Sequence, residues 1–379
     1  MKLVRIFFMM FALLIALIAA AFTYLLLFFD PNSFKPVIEQ QVKKSTGYQL
    51  VIEGPMSWTL YPRVGVKIER MTLRAPNQAK PFADLHGVNI AADLKQLLHG
   101  YQKLRGDIRI ANVLFMNMNM QRAYVGLHWQ GDALTLQPVR AALYEGNLKG
   151  VANAHHLTSM PHWQWNAELR NVQLKPLLID VNGPQSKLKV SGVGDVTCSA
   201  STDGMSRQQL LSNLNGVVDF GLKNGVVEGL DLNYLVQTAN NLLNDKPITL
   251  PQHLEQTTFQ RLSGTAKIKN GVANIDNLLL ASDAFTTKGE GAINLLNETL
   301  NLQLIVSPLN QDKVHWDVPV LITGNLQHPA VSVDARALQA IFVKEKLQDV
   351  KTKVKEKVQD ELKKLPDDAN KFFQKILGQ

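Results

Sequence analysis

From Gly47 to about Asp334 the apolar residues recur mainly at every second position, the period of a strand with one face turned to an apolar environment. The stretch "GYQLVIEGPMSWTLYPRVGVKIERMTL" (Gly47–Leu73) sets the pattern. Leu50 and Ile52 alternate with polar residues, as do Val64, Val66 and Ile68, while Trp58, Tyr61 and two prolines interrupt. "SKLKVSGVGDVTCSA" and "GEGAINLLNETLNLQLIV" behave alike. In the second, Leu300, Leu302, Leu304 and Val306 share a face and Asn301 and Gln303 point the other way. "MNMNM" (Met116 to Met120) alternates methionine with asparagine and predicts a further strand. Asn270-Gly271 in "RLSGTAKIKNGVANIDNLLL" is the strongest short hairpin signal, and a two-residue turn there pairs Ile268 with Ala273 and Ala266 with Ile275. Lys223-Asn224-Gly225-Val226 repeats Lys269-Asn270-Gly271-Val272 and predicts a second hairpin of the same kind.

Helical spacing is scarce in this region. "DPNSFKPVIEQQVKKSTG" predicts a short helix capped by Ser33, with Phe34, Val37, Ile38 and Val42 on one side and a stop at Gly47. "LKQLLHG" (Leu94 to Gly100), "LKPLLIDV" and Leu230 to Leu243, with Asp231 as a cap, complete the set. So few helices cannot cover every apolar strand face. The sheet must close on itself or keep an apolar face for something else. At ~4.8 Å per strand, roughly sixteen strands would run about 75 Å. From Ala335 helical spacing returns, with Leu347, Val350, Val354, Val358, Leu362 and Leu365 recurring among lysines and acids. That lysine-rich helix, from about Phe342 to Leu365, either packs its stripe on the sheet or meets a membrane surface or a partner. After Pro366, "ANKFFQKILGQ" begins a shorter apolar–basic helix.

The N-terminus changes the picture. Ile6 to Phe29 is a run of 24 residues without a charge. As a helix it would span roughly 36 Å, enough for a ~30 Å hydrocarbon core. Lys2 and Arg5 precede it and Asp30 follows, which predicts a cytoplasmic N-terminus. A cleaved signal peptide with Ala19–Ala21 as its small-residue site is the rival, but apolar sequence continues eight residues beyond Ala21, favouring an uncleaved anchor. The expected organisation is a cytoplasmic terminus 1–5, an anchor 6–29, a helix at the bilayer surface 30–47, a β domain 48–334 and lysine-rich helices 335–379. The net charge is +8, and the lysines are concentrated in the tail rather than interleaved with aromatics, which argues for an anionic membrane surface and against nucleic acid.

Chemistry is conspicuously missing from the 379 residues. There is no G-x-S-x-G, phosphate loop, H-E-x-x-H or C-x-x-C. The glycines of "GVGDVTC" alternate within a strand pattern, and His155-His156 sits in a polar, proline-containing segment, "NAHHLTSMPHW". The one cysteine, Cys198, lies between Val196 and Ala200 at strand spacing and reads as a small buried hydrophobe. The reading is a protein that is not an enzyme, with no catalytic residues, metal site or cofactor.

Several segments, in order, resemble the AsmA family of inner-membrane-anchored periplasmic proteins of Gram-negative bacteria. "DPNSFKPVIEQQVKKSTGYQLVIEGPMSWTLYP" resembles its entry pattern, a D-P-N-x-F-K-P helix, a T-G, then glycine, tryptophan and proline between strands. "LHWQGDALTLQPVRAALYEGNLKG" and "FQRLSGTAKIKNGVANIDNLLLASDAFTTKGEGAINLLNETLNLQL" are similar to later family segments, and "VPVLITGNLQHPAVSVDARAL" to its closing one. Members of the AsmA type are usually longer, so this is a shortened one. The resemblance implies a curled antiparallel sheet, a repeating β-groove with an apolar interior. It also implies a role in outer-membrane biogenesis and phospholipid homeostasis. The expected fold class is therefore mainly β: an N-terminal transmembrane helix, an extended curled antiparallel sheet, a few short helices and a C-terminal amphipathic helix. The candidate lipid-groove residues are Met118, Val190, Phe220, Leu300, Leu302 and Leu304. The expected partners are the inner membrane, phospholipids and an envelope protein, with the chain anchored once and its bulk periplasmic. Two functions stay open: carriage or shielding of phospholipid acyl chains between membranes, or an anchored scaffold assisting outer-membrane protein assembly.

Overall fold

The computed structural model describes residues 30–59, 63–76, 78–92, 103–183, 185–243, 247, 255–309 and 316–363. Sixteen strands, hydrogen-bonded in strict chain order, form an open antiparallel sheet. They are β1 (Gln49–Thr59), β2 (Gly65–Arg74), β3 (Ala83–Ala92), β4 (Lys103–Phe115), β5 (Met118–Gln130) and β6 (Ala133–Leu143). Next come β7 (Gly146–His155), β8 (His162–Gln173), β9 (Lys189–Asp203), β10 (Asn215–Glu228) and β11 (Gln256–Lys269). Last are β12 (Val272–Ala281), β13 (Phe285–Asn294), β14 (Thr299–Pro308), β15 (Val318–Asn325) and β16 (Pro329–Val333). The described helices are α1 (Lys35–Thr46), α2 (Leu174–Asn182), α3 (Arg207–Ser212), α4 (Leu232–Leu243) and α5 (Ala335–Lys363). Among the described residues no helix is long and apolar enough to cross a membrane. The predicted anchor, Ile6–Phe29, and the predicted helix at Leu94 to Gly100 lie outside them, as does "ANKFFQKILGQ".

The residues of the expected 48–334 domain fall into two compact units. The first holds residues up to Ser186 with Ser191–Leu222 and Ala266–Val272; the second holds Lys187–Val190, Lys223–Thr265 and Ala273–Gln379.

In the first unit α1 does two jobs. Its Val42 packs against a core of Leu50, Ile52, Met56, Ile68 and Val88, all buried. Its polar side chains, with Asn32 of the turn before it, meanwhile cap the free edge of β1. Ile52 N–H donates to Glu39 Oε1 at 2.7 Å, and Met56 N–H donates to Asn32 Oδ1 at 2.8 Å. Asn32 Nδ2 donates to the Met56 carbonyl at 3.0 Å, and Lys35 Nζ reaches the Gly54 carbonyl. An uncovered edge strand invites pairing with another chain, and here side chains occupy those groups. The helix stops where expected: Gly47 adopts φ 75° and its N–H donates to the Lys43 carbonyl. Its start differs. Asp30, not Ser33, accepts from Asn32 N–H, and the Ser33 hydroxyl donates to the Asp30 carbonyl, because a 3-10 turn at Pro31–Phe34 precedes the helix.

Two strand predictions are corrected. Met116 and Asn117 do not belong to a strand. At φ 49° and 69° they form the tight turn between β4 and β5, and only Met118 onward is extended. Tyr144 and Glu145, at φ 45° and 66°, make the equivalent turn between β6 and β7. Asn270-Gly271 turns as predicted, both at positive φ. Its sequence copy does not: Asn224 is at φ 50°, but Gly225 is not among the left-handed glycines and β10 runs straight through. A type I′ turn needs both central residues left-handed, so one alone bends the strand without reversing it.

In the second unit α4, capped by Asp231 (Tyr234 N–H to Oδ1, 2.9 Å), packs against β14, β15 and β16. Leu232, Leu300, Leu304, Val306, Val318, Val320, Ile322 and Leu338 are all buried there. This is a closed core. Leu304→Asp should therefore cost several kcal/mol, since it places an unpaired charge at a site 4% exposed. A chemical-denaturation curve with an unchanged midpoint would show the site to be open. At the other edge, Glu39→Ala removes the acceptor for Ile52 N–H and should lower stability by roughly 1 kcal/mol. Hydrogen exchange at the Ile52 amide should accelerate in step.

Candidate functional site

Directly opposed residues of an antiparallel pair share a face, so the pairing register can be followed from strand to strand. Starting at Trp58 on β1, the opposed residues are Val66, Ile90, Ile108, Val125, Val139, Gly150, Ala167 and Cys198 on β2 through β9. Every member of this nine-strand row is apolar or small. None of the nine is buried, and Ile90 is 38% exposed. At ~4.8 Å per strand the row runs roughly 38 Å, entirely within the first unit.

Shorter rows flank it on the same face. On one side lie Gly106, Leu127, Leu136, Ala152, Trp165 and Ala200; on the other lie Ala141, Leu148, Leu169 and Val196. No charged residue occurs in any of the three. The neighbouring row on the opposite face is the reverse: Ser57, Lys67, Asn89, Arg109, Tyr124, Arg140, Lys149, Glu168 and Thr197. Arg109 lies over the Tyr124 ring at 5.8 Å and pairs with the buried carboxylate of Asp107, which also holds Arg63 at 2.8 Å. An open cleft of 390 Å³ lies over the Gly150, Ala167 and Cys198 backbone, lined by Lys149, Asn166, Glu168, Thr197 and Ser199. By alternation, those side chains rise from the polar face.

Burial, rather than pattern, distinguishes the apolar rows. In a closed sheet such residues would be inaccessible; here the long row, and the flanking rows apart from Ala141 and Ala200, stay unburied, with Val66 and Ile108 packing against the edge of the first-unit core that Val42 of α1 joins. Cys198 ends the long row. Burial pushes its thiol up, partly offset by a hydrogen bond with Trp165, so it stays protonated near neutrality and suits an apolar lining. Where the β6–β7 turn meets α2, the Tyr144 hydroxyl donates to Asp180 and accepts from Asn119 N–H, and burial first, then Asp180, pushes its pKa up to about 12.

The six predicted groove residues divide. Met118 and Phe220 are half-buried strand residues of the first unit, Met118 standing beside Phe115 in the register Leu50, Leu73, Ala83, Phe115, Met118. Val190 is half-buried and belongs to the second unit. Leu300 and Leu304 are core, at 8% and 4%, and Leu302 between them is half-buried. Sequence patterning alone does not single out Trp58, Ile90, Ile108, Val125 and Val139. Their strands alternate visibly, but alternation carries no register. The usable signals were the two-residue turns Met116-Asn117 and Tyr144-Glu145, which lack the glycine that marks such turns.

No solved structure matches the chain. Protein AsmA of Escherichia coli K12 is 29% identical over 86 residues, which cover 23% of this chain and only 14% of that protein's length. The family model described as the AsmA family matches residues 1–121 and 102–278, well over half of the sequence. The row of unburied apolar residues lies wholly inside that matched region, and the chain belongs to the AsmA family.

Proposed function

We propose that this protein is anchored in the inner membrane by Ile6–Phe29, with its bulk in the periplasm. There it serves envelope biogenesis by sheltering phospholipid acyl chains along the apolar rows of its first unit. It is not an enzyme on this reading, and it uses no metal or cofactor. The supporting observation is the nine-strand row from Trp58 to Cys198, apolar throughout and nowhere buried.

The energetics suit that role. Each CH₂ exposed to water costs about 0.8 kcal/mol, so a sixteen-carbon chain in water carries on the order of 12 kcal/mol. A strip of valine, isoleucine and leucine removes part of that at each step, and its lack of charge offers headgroups nothing. Headgroups would stay in water while the chains lie on the strip. The curled groove of the family belongs to this proposal too, since acyl chains need walls as well as a floor. The closed core around α4 favours a second, scaffolding role for the second unit, in which contacts with an envelope protein matter and no lipid enters.

Adjacent residues on opposite faces test the reading. A benzoylphenylalanine photocrosslinker replacing Val125 should capture phospholipid in intact cells, whereas one replacing Tyr124 should not. Val125→Asp should fold with a near-native melting curve and lose co-purifying lipid, because its side chain is already half-exposed. Equal capture at both positions, or none at Val125, counts against carriage.

Cys198 supplies an independent readout. Because its pKa is raised, the reactive thiolate is a small minority at pH 7.5, and alkylation should quicken about tenfold from pH 7 to pH 8. Phospholipid added to delipidated protein should slow alkylation at every pH. A rate indifferent to lipid would place the acyl chains elsewhere.

A further inference from the structure

The C-terminal helix carries two apolar faces that point in different directions. Its first turns dock on the second unit: Asp334 Oδ1 accepts from Arg336 N–H and Ala337 N–H, Leu338 is 2% exposed, and Phe342 meets Trp316 edge-on at 5.4 Å. Beyond that point Val343, Leu347, Val350 and Val354 are 56%, 58%, 58% and 55% exposed. Their spacing of four, three and four puts them in one stripe, on the far side of the helix from Leu338.

Charge decides what the stripe fits. At 100° per residue, Lys344, Lys351 and Lys355 fall roughly 70–110° to one side of it, and Lys353 and Lys357 roughly 50–90° to the other. Glu356 and Thr352 lie on the opposite face, and all five lysines are exposed. We propose that this face of α5 lies on an anionic lipid surface: the valines and leucine enter the headgroup boundary and the flanking lysines bind lipid phosphates. Lysine stems extend the apolar strip while their ammonium groups reach outward, the geometry of an interfacial helix. Facing a second copy would bring lysine flanks against lysine flanks, which like-charge repulsion opposes. Packing on its own sheet is not what the helix does along this stretch, since all four stripe residues stay over half exposed. The surface is independent of what the apolar rows of the first unit hold.

The test uses the full chain with Cys198→Ser and a single environment-sensitive NBD label, at Leu347→Cys on the stripe or Thr352→Cys behind it. It is reconstituted into phosphatidylcholine vesicles, with or without one-third phosphatidylglycerol. With phosphatidylglycerol, the label at 347 should blue-shift and brighten severalfold and lose that response in high salt, while 352 stays aqueous. Changing Lys351, Lys353, Lys355 and Lys357 to Gln should weaken the response on the order of tenfold or more, without altering the melting curve. Equal, aqueous signals at 347 and 352 would overturn the proposal. So would a response unaffected by phosphatidylglycerol, or one without vesicles that grows with protein concentration, which marks a second copy. A response only on adding an acidic envelope protein would assign the face to that partner instead. Failure here leaves the crosslinking at Val125 untouched, so the two readings fall separately.

Discussion

The in-register antiparallel pairing of β1 through β9 is the constraint on which the rest depends. Side chains directly opposite one another must share a face, so one register decides nine positions at once. A slip of a single residue toward the adjoining row would replace an apolar member of the Trp58–Cys198 row with its neighbour on the polar face. The adjoining row, from Ser57 to Thr197, contains no aliphatic residue, so a slip toward it would put a charged, polar or tyrosine side chain among valines and isoleucines. Register and amphipathicity therefore hold each other in place. Bulges are compatible with this where they are shared: β1 shifts between Glu53 and Met56, with Gly54 at φ 72°, and β3 turns through Gly87 at φ 64°.

Helices then determine which apolar positions are core and which are surface. Strands have no other way to hide one face in an open sheet. In the first unit Val42 of α1 packs on the core of Leu50, Ile52, Met56, Ile68 and Val88, and Glu39 and Lys35, with Asn32 from the preceding turn, tie off the edge of β1. In the second, α4 and the first turns of α5 bury Leu300, Leu304, Val306 and Val320. Between the α1-covered strands and Cys198 the long apolar row remains unburied, and in the rows beside it only Ala141 and Ala200 are buried. An exposed apolar strip is a liability unless something apolar occupies it, which is why acyl chains suit this surface.

The chemistry of the strip is consistent with passive shelter. Its one nucleophile, Cys198, is half-buried with its thiol pKa raised, so it stays protonated near neutrality, and the ionic pairs of the first unit, such as Arg63 with Asp107, stand on the opposite face. Binding of this kind needs no catalytic geometry, only continuity. Continuity is the property that a register of nine strands supplies.

Much was legible in the sequence because it is set by local physics. Strand alternation follows from the backbone's period of two. The stop of α1 at Gly47, the turn at Asn270-Gly271 and the Asp231 cap each depend on a few adjacent residues. Family membership, too, rests on ordered local segments. Register and coverage were not legible, because both are non-local. Leu302 and Val125 sit in equally alternating strands, and nothing near either says that a helix some sixty residues away in sequence closes over Leu300 and Leu304 while none of the described helices closes over Val125. The copied Lys-Asn-Gly-Val makes the same point. At Asn270 both residues turn left-handed and the chain reverses, whereas at Asn224 pairing carries β10 onward past a single left-handed residue. Local sequence offers the same turn twice. The energy of the surrounding sheet selects it once.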